Sequence, residues 1–253
     1  MKPRAPSLHE ALFPVDLPEF AAIAELWPED VVNEMLGLVW DAFDQMKAQH
    51  FEGFDFTQPL EQLERSLTDL HLDEITLLWK QWRDGFESFI PKHEAWEFRG
   101  RKNAADMPRS IDIGFVLVAN RSARWNVEAK VLEKPSDVGR YLSDLTDKYL
   151  SGKGAALSDT GALVGYLRQG RPNGVFPYLE KRLRKPLNPF AKFSERAHRI
   201  SEHTRILEDF GETPFTCHHL ILGLSSDEEQ KSWIDWEEWI IAKGEEETRQ
   251  GIE

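Results

Sequence analysis

Two neighbouring stretches rich in β-branched and aromatic residues constrain the fold of this chain more than any other feature. Residues 111–119 (IDIGFVLVA) and 125–132 (WNVEAKVL) are separated by the turn-forming residues Asn120, Arg121 and Ser122. Such stretches favour strands, and the short polar segment between them predicts an antiparallel β-hairpin. The chain is therefore expected to build a sheet around this hairpin.

Helical spacing of hydrophobic residues marks the first third of the chain. A helix is predicted to begin at Pro28-Glu29-Asp30, where acidic residues favour the first turn, and to reach about Gln49. Pro91 is expected to end the last helix of this region. The predicted helices are 28–49, 60–70, 73–90, 138–150, 162–168 and 175–183, and the further predicted strands are 96–99, 197–208 and 215–224.

This pattern predicts an α/β protein of three parts. Residues 1–95 form a mainly helical N-terminal region, 96–224 form the core, and 225–253 form an acidic, Trp-rich helical tail. A chain of 253 residues with 41% hydrophobic residues can bury one substantial core and a helical lobe. The single cysteine, Cys217, excludes an intrachain disulfide and a Cys-based zinc site, which favours a reducing compartment. No signal-peptide core and no apolar run of about 20 residues occur, so we expect a cytoplasmic protein without membrane contact.

Charge is distributed very unevenly along the chain. Residues 1–97 carry 7 Lys and Arg against 20 Asp and Glu, and residues 206–253 carry 3 against 13. Residues 98–205 carry 21 against 11. A basic middle between acidic ends is typical of a protein that handles an anion on one face, although chance segregation would give the same pattern.

The hairpin gathers ionisable side chains on one of its faces. Because side chains alternate along a strand, Asn126, Glu128 and Lys130 share a face, and the other face is apolar. Asp112 and Gly114 lie on the partner strand. Two carboxylates on adjacent strands can hold one hard cation such as Mg²⁺, and a neighbouring lysine can orient or help deprotonate water and steady phosphate charge. The alternative is an exposed cross-strand ion pair of little energetic weight.

Context separates this Glu-x-Lys from a chance occurrence. The same spacing recurs at Glu229-Gln230-Lys231, in a polar segment without a partner acid on a strand. Glu128-Ala129-Lys130 instead lies on a predicted strand one hairpin after Asp112.

The set Asp112-(x15)-Glu128-Ala129-Lys130, followed by a capped helix and further strands, resembles the PD-(D/E)xK, or restriction-endonuclease-like, nuclease superfamily over residues 85–224. The resemblance implies a mixed central sheet flanked by helices. It also implies that Asp112 and Glu128 bind the metal, with the Ala129 carbonyl as a further ligand, and that Lys130 assists the attacking water. Ile111 stands where the motif's name has Pro.

Members of this superfamily often add an acid from the preceding helix. Glu87 and Glu94 are the candidates, and Glu87 is preferred because it lies within a helical pattern. The implied cofactor is Mg²⁺, for which Mn²⁺ can substitute.

A basic stripe interleaved with aromatic residues follows the hairpin and is a candidate nucleic-acid surface, with a solvated charged face as the alternative. The Gly161-to-Gly165 segment could let backbone approach a phosphate, but close helix–sheet packing is the favoured interpretation. The spacings of His198, His203, His218 and His219 match no zinc pattern. The stripe comprises Arg168, Arg171, Lys181, Arg182, Arg184 and Lys185, continued by Lys192, Arg196, Arg199 and Arg205.

Three functional hypotheses are compatible with these features. The first is a Mg²⁺-dependent endonuclease acting on DNA rather than RNA, as an effector of a bacterial anti-phage defence system. The second is a non-catalytic or partner-activated adaptor that keeps the nuclease fold and binds nucleic acid or protein. The third is a structural helical protein with an incidental hairpin. The tail helix, with Trp233, Trp236 and Ile240, would dock a partner protein, cover the basic stripe as a DNA mimic, or simply cap the fold, and homo-oligomerisation stays open.

Overall fold

The predicted hairpin lies inside a mixed sheet that runs through the described part of the molecule. The computed structural model describes residues 27–82, 88–93, 112–118, 123–153, 155, 158–208 and 210–225. Its helices are α1 (Glu29–Gln49), α2 (Leu60–Trp82), α3 (Gly139–Asp144), which continues as a π-helical segment (Leu145–Leu150), and α4 (Phe176–Leu183), which follows a 3₁₀ turn (Pro172–Val175). Its strands are β1 (Phe89–His93), β2 (Ile113–Leu117), β3 (Arg124–Leu132), β4 (Thr160–Leu167), β5 (Asn188–Pro189), β6 (His198–Leu207) and β7 (Gly211–Gly223), and a second 3₁₀ turn spans Ala191–Phe193.

The strands of the described residues form one seven-stranded sheet in the order β1-β2-β3-β4-β7-β6-β5. The pairs β3–β4 and β4–β7 are parallel, and the remaining pairs are antiparallel. Helices cover both faces of the parallel centre, as such sheets require. The α/β class and the mixed central sheet predicted from the sequence are therefore present.

The two faces of β3 differ as alternation predicts. Trp125 and Val127 are fully buried in one core cluster with residues of α1 and α2, whereas Leu132 packs into a second cluster with α3 and α4. Ile113 pairs with Val127 and Gly114 with Asn126, which confirms the antiparallel hairpin. Since α1 and α2 pack directly on the sheet, the N-terminal helices share its core.

The helical prediction for residues 73–90 is wrong at its end. One helix, α2, runs from Leu60 to Trp82, and Phe89–His93 is a strand. The buried face of α2 continues without interruption past position 72, so the helix does not end there. This face contains Leu63, Leu67, Ile75 and Leu78. Pro91 is tolerated in β1 because this edge strand pairs only with β2 within the described residues.

The helical prediction for residues 162–168 is also wrong, because Thr160–Leu167 is the central strand β4. A strand buried on both faces reads as a continuous apolar run, which periodicity cannot distinguish from a buried helix. Neighbouring side chains and backbone leave little room for a side chain at Gly161 or Gly165. A Cβ at Gly165 would lie 2.9 Å from Leu132 Cδ1 and 3.3 Å from Tyr141 Cε2. This geometry supports helix–sheet packing over phosphate contact.

Other predictions are confirmed with small changes of boundary. The helices predicted at 28–49 and 175–183 correspond to α1 and α4, and the strand predicted at 197–208 to β6. The last strand begins at Gly211, earlier than predicted, and Cys217 is buried in it. The strand predicted at 96–99 and the tail beyond Ser225 lie outside the described residues. None of the described helices combines the length and apolar character that crossing a bilayer demands.

Candidate metal-binding active site

Asp112 and Glu128 meet at the edge where β2 begins alongside β3. Ile113 of β2 pairs with Val127 of β3. Because the strands are antiparallel, the residue before Ile113, Asp112, lies opposite the residue after Val127, Glu128. Asp112 Oδ2 accepts a hydrogen bond of 2.8 Å from the Ala129 backbone N–H. The aspartate is thus fixed to the strand that carries Glu128.

Glu128 is almost completely buried, with a relative exposure of 1%. Its Oε2 accepts a bond of 2.5 Å from Lys148 Nζ. Its Oε1 is also buried and makes no hydrogen bond to any described residue. Burial raises the pKa of Glu128 well above its ordinary value, the neighbouring Asp112 raises it further, and Lys148 opposes both. A second cation beside Oε1 would complete the environment of this carboxylate.

Lys130 lies in a cage of acceptors. Its Nζ is 2.9 Å from Glu64 Oε1 and 3.0 Å from Asp144 Oδ2, and it donates to the Ala129 carbonyl at 2.7 Å. Burial disfavours its charge, but the Asp112, Asp144 and Glu64 carboxylates together raise the pKa of Lys130 above its ordinary value. The neighbouring carboxylates therefore favour the charged form of Lys130, which can stabilise negative charge on a bound group. The same carboxylates disfavour a role for Lys130 as a proton acceptor.

Three residues of this cluster were not among the sequence candidates. Glu64 comes from α2, and Asp144 and Lys148 come from the helix after β3. Asp144 and Lys148 were accessible to prediction, since an acid and a base four residues apart lie on one face of a helix that follows the Glu-x-Lys strand. Glu64 is an acid from a preceding helix, but it pairs with Lys130. The acid expected from the resemblance, Glu87, lies outside the described residues, as does Glu94, and stays a prediction.

The π-helical segment carries Lys148 and is anchored beneath the sheet by Tyr149. The Tyr149 hydroxyl donates to the backbone carbonyls of Asn126 at 3.0 Å and Ala162 at 2.8 Å. Lys148 Nζ also lies 3.4 Å from Asp144 Oδ1. Short π segments widen a helix locally and recur at functional sites. Here Lys148 of the segment lies beside Glu128, together with Asp144, the last residue of α3.

The residues present fit a hard cation that takes only some of its ligands from the protein and the rest from water. Among the described residues no three His, Cys, Asp or Glu side chains converge in a metal-binding group. Asp112, the unpartnered Glu128 Oε1 and the Ala129 carbonyl nevertheless offer oxygen atoms at neighbouring positions. Mg²⁺ accepts such a set, because it binds through one or two carboxylates and keeps several waters.

The predicted basic stripe divides into partnered and exposed residues. Arg168 pairs with Glu133 at 2.6 Å, and Lys185 donates to the Glu202 carbonyl at 2.7 Å. Arg205, placed in the stripe by sequence, is instead buried, where it donates to the carbonyls of Tyr149, Ala155 and Ser158 and lies over the Phe215 ring. The exposed cations of the stripe are Lys181 and Arg182 on α4, Arg184 at its end, and Lys192 further along the chain. Arg171 lines a separate cavity.

The four histidines of β6 and β7 form hydrogen bonds; His198, His218 and His219 are buried in the core and His203 is half-buried. Trp40 Nε1 donates to His198 Nδ1 at 3.4 Å, and His198 Nε2 lies 3.1 Å from His218 Nδ1. Ser201 Oγ lies 2.7 Å from His203 Nε2 and 2.8 Å from His219 Nε2. Burial lowers the pKa of His198 to about 2, of His219 to about 3 and of His218 to about 4. Burial therefore favours the neutral form of His198, His218 and His219.

Comparison with known proteins gives a partial relationship. No family model and no solved structure matches the chain. Pre-mRNA-processing factor 39 of Schizosaccharomyces pombe is 29% identical over 199 residues, which cover 71% of this chain. The match spans about 30% of the length of that protein.

Proposed function

We propose that this chain is a Mg²⁺-dependent endonuclease that hydrolyses phosphodiester bonds in DNA on a restriction-endonuclease-like core. The observation that carries the proposal is Glu128 Oε1, a buried carboxylate oxygen without a hydrogen-bond partner in the described structure. It lies on the same strand as the Ala129 carbonyl and the caged Lys130, beside Asp112.

The free-energy cost of burying the charges of this cluster supports a catalytic role for it. Four carboxylates and two ammonium groups share a largely buried site, with side-chain exposures between 0% and 19% for Glu64, Glu128, Lys130, Asp144 and Lys148. Burying paired charges rarely stabilises a protein more than hydrophobic packing of the same volume would. Perturbed ionisable groups that converge on one point are typical of catalytic sites.

Each residue has a definite role in the proposed reaction. Asp112, Glu128 and the Ala129 carbonyl would hold the cation, which when bound polarises a phosphoryl oxygen and lowers the pKa of its water. Lys130, kept charged by its acidic neighbours, stabilises negative charge on the phosphate and orients the attacking water. Glu64 and Asp144 hold the Lys130 ammonium in place.

The exposed cations of α4 supply the substrate surface in this proposal. Lys181 and Arg182 lie on α4 and Arg184 caps its end, and α4 packs with α3 against the Glu128 face of the sheet. Their contacts with a phosphate backbone would position DNA without reading its sequence. The defence-effector role is part of the same proposal and rests on the nuclease resemblance.

The test compares plasmid cleavage by the wild type, Glu128→Gln and Lys130→Met, with Mg²⁺ and with Mn²⁺. Loss of each charge should lower cleavage by on the order of 100-fold or more. The matched control is the double variant Glu229→Gln/Lys231→Gln, which removes the other Glu-x-Lys and should cleave like the wild type. A wild type inactive on DNA and RNA with both metals would reject the nuclease.

A second candidate is an adaptor that keeps the site without catalysis. Lys148 and Lys130 place ammonium groups on Glu128 Oε2 and on the Ala129 carbonyl, which a metal would otherwise contact. The similarity to a pre-mRNA-processing factor adds RNA and protein assemblies to the partners to be tested. Tight nucleic-acid binding without cleavage, unchanged in Glu128→Gln, would favour the adaptor.

A further inference from the structure

The side-chain amide of Asn126 is fully buried and makes no hydrogen bond to the described part of the chain. Its relative exposure is 0%, and both Oδ1 and Nδ2 lack a partner among the described residues. A buried amide without partners costs free energy, which an apolar side chain of similar volume would avoid. Asn126 is therefore a candidate binding residue, and the proposed reaction gives it no role.

Asn126 lies beside the proposed metal ligands in the sheet. It is two residues from Glu128 on β3, and both side chains lie on the same face, about 7 Å apart along the strand. Gly114 lies directly opposite Asn126 on β2. Asp112, two residues before Gly114, is a diagonal neighbour of Asn126, roughly 7–8 Å away. Asn126 thus borders the space between the two carboxylates.

Two aromatic rings close the β4 side of Asn126. A Cβ at Gly161 of β4 would lie 3.3 Å from the Asn126 carbonyl oxygen, 3.3 Å from Phe215 Cζ and 3.4 Å from Tyr149 Cε1. The two rings therefore occupy the space that a side chain at Gly161 would take. On the β2 side, the residue opposite Asn126 is Gly114, which contributes no side chain. A small polar ligand of the amide would thus lie on the β2 side, which is also the side of the proposed metal.

Asn126 and Glu128 leave unsatisfied polar atoms on the same face of the strand. Glu128 Oε1 is buried and without a partner among the described residues, as are Oδ1 and Nδ2 of Asn126. Because consecutive residues on one face of a strand border the same space, the three atoms belong to one polar site. A cation at Oε1 that keeps several waters would satisfy all three atoms.

The distances favour a water between Asn126 and the cation over direct ligation. A Mg²⁺–oxygen bond is about 2.1 Å long, and an intervening water adds a hydrogen bond of about 2.8 Å, which extends the reach to about 5 Å. A short side chain about 7 Å along the strand from Glu128 needs this longer reach. Direct ligation would also satisfy Oδ1 alone and leave Nδ2 unpaired.

We propose that the Asn126 amide binds two waters beside the cation of the proposed metal site. Oδ1 accepts a hydrogen bond from a water in the shell of the cation, and Nδ2 donates to a second water. Asn126 is thus a positioning residue that acts on the metal through water. The inference rests on the proposed metal site at Asp112 and Glu128, and it does not depend on which substrate is cleaved.

The test compares Asn126→Thr with Asn126→Val in the full chain. The two side chains have nearly the same shape, but only threonine donates and accepts hydrogen bonds. Calorimetric titration with Mg²⁺ and with Mn²⁺ should give Asn126→Val an affinity about tenfold or more below that of Asn126→Thr, the usual effect of losing a group that holds a metal's ligand.

Urea unfolding of the metal-free variants distinguishes this role from a structural one. Without metal, the Asn126→Val midpoint should be at least as high as that of Asn126→Thr, because valine leaves no buried polar group unsatisfied. A structural hydrogen bond at this position would give the opposite order. Asn126→Ser and Asn126→Ala repeat both measurements with smaller side chains if the first pair does not fold.

Equal metal affinity in the two variants, or a lower metal-free midpoint for Asn126→Val, would overturn the inference. Metal binding that Asp112→Asn weakens and Asn126→Val does not would reject the role of Asn126 alone and leave the proposed metal site intact. A wild type that binds neither metal would reject both. The expected order of affinities in a protein that cleaves no plasmid would support the inference and reject the nuclease.

Discussion

Lys148 Nζ lies 2.5 Å from Glu128 Oε2, so the helix after the central hairpin supplies a cation directly to the proposed metal ligand. Glu128 is fully buried, and Lys148 retains about a fifth of its side-chain exposure. The lysine thus neutralises a carboxylate that is buried in the metal-free structure. It also competes with any metal for that carboxylate, which makes its removal informative.

Lys148→Met should destabilise the metal-free protein and strengthen metal binding. Leaving the Glu128 charge buried and unpaired costs about 3 kcal/mol in comparable buried pairs. Mn²⁺ should restore part of this loss, because a ligand that binds only the folded state stabilises it. Urea unfolding with and without Mn²⁺ measures both effects, and exposed Lys153→Met is the control. A metal affinity that falls in Lys148→Met would show that the lysine supports the metal rather than competing with it.

Asp112→Asn should separate the structural role of Asp112 from its metal role. The amide oxygen of Asn can still accept the bond from the Ala129 N–H, so stability should change by less than about 1 kcal/mol. Mn²⁺ affinity, measured by calorimetry, should fall at least about tenfold because a negative ligand is lost. Asp112→Ala removes both contributions and should also lower stability. Equal metal affinity in wild type and Asp112→Asn would remove Asp112 from the site.

The hairpin and its charged face could be predicted because alternation is a local property of the sequence. Asp112, Glu128 and Lys130 required only the strand period to be placed together. Glu64 lies 66 positions before Lys130, and its approach depends on how α2 packs, which no local pattern encodes. The depth at which Glu128 is buried also follows from the later helix. Whether Glu87 contributes lies outside the described residues and stays a prediction.

Strand β4 shows the limit of periodicity. Its sequence, TGALVGYL, is apolar on both faces because the strand is covered on both sides, so no alternation distinguishes it from a helix. The glycines carry the information instead: Gly165 faces Leu132, Tyr141 and Ile221. The residues of β4 are explained by its place in the sheet, where it runs parallel to both neighbouring strands and is buried on both faces.

Gly165→Ala should destabilise the fold by about 1–3 kcal/mol, the usual cost of overpacking a core. The added Cβ would lie 2.9 Å from Leu132 Cδ1 and 3.0 Å from Ile221 Cδ1, so both side chains must shift. Gly37→Ala in α1 is the matched control, since its Cβ would meet nothing within 4 Å. A Gly→Ala change in open space on a helix stabilises by up to about 1 kcal/mol. Chemical denaturation should therefore give opposite signs for the two variants.

Acidification should destabilise the protein through its buried histidines. His71 donates from one ring nitrogen toward the Val39 carbonyl, at 2.7 Å, and its other nitrogen lies 2.8 Å from the Tyr166 hydroxyl. Burial lowers the pKa of His71 to about 4, and that of His198 to about 2. Because the folded-state pKa values lie below about 6.5, the value of an unfolded histidine, their contribution is complete above pH 6.5 and is lost progressively as the pH falls toward 4 and below.

Urea unfolding at pH 7.5, 6.0 and 5.0 measures this loss. The free energy of unfolding should fall with pH, and the slope should be smaller in His198→Phe, which removes one titrating group, whatever its stability at pH 7.5. Exposed His93, paired with Asp69 at 3.0 Å, gives the control His93→Gln. Because the raised pKa of Glu128 acts in the opposite direction, the decisive quantity is the difference in slope between the proteins. Equal slopes in wild type and His198→Phe would contradict the neutral, buried histidine.

The exposed cations of α4 should contribute to DNA affinity through salt-dependent phosphate contacts. Lys181→Gln/Arg182→Gln removes two of them from a surface that Arg184 completes. Each lost phosphate contact should lower the slope of log affinity against log salt by about 0.9 for duplex DNA. The double variant should therefore bind more weakly across all sequences, with a slope smaller by up to about 2. Fluorescence anisotropy between 50 and about 200 mM salt measures it. The control for net charge is the double variant Lys80→Gln/Lys92→Gln, with substitutions on α2 and β1. An equal change in DNA affinity and salt dependence in both double variants would show that α4 contributes only to the overall charge of the protein and makes no specific phosphate contacts.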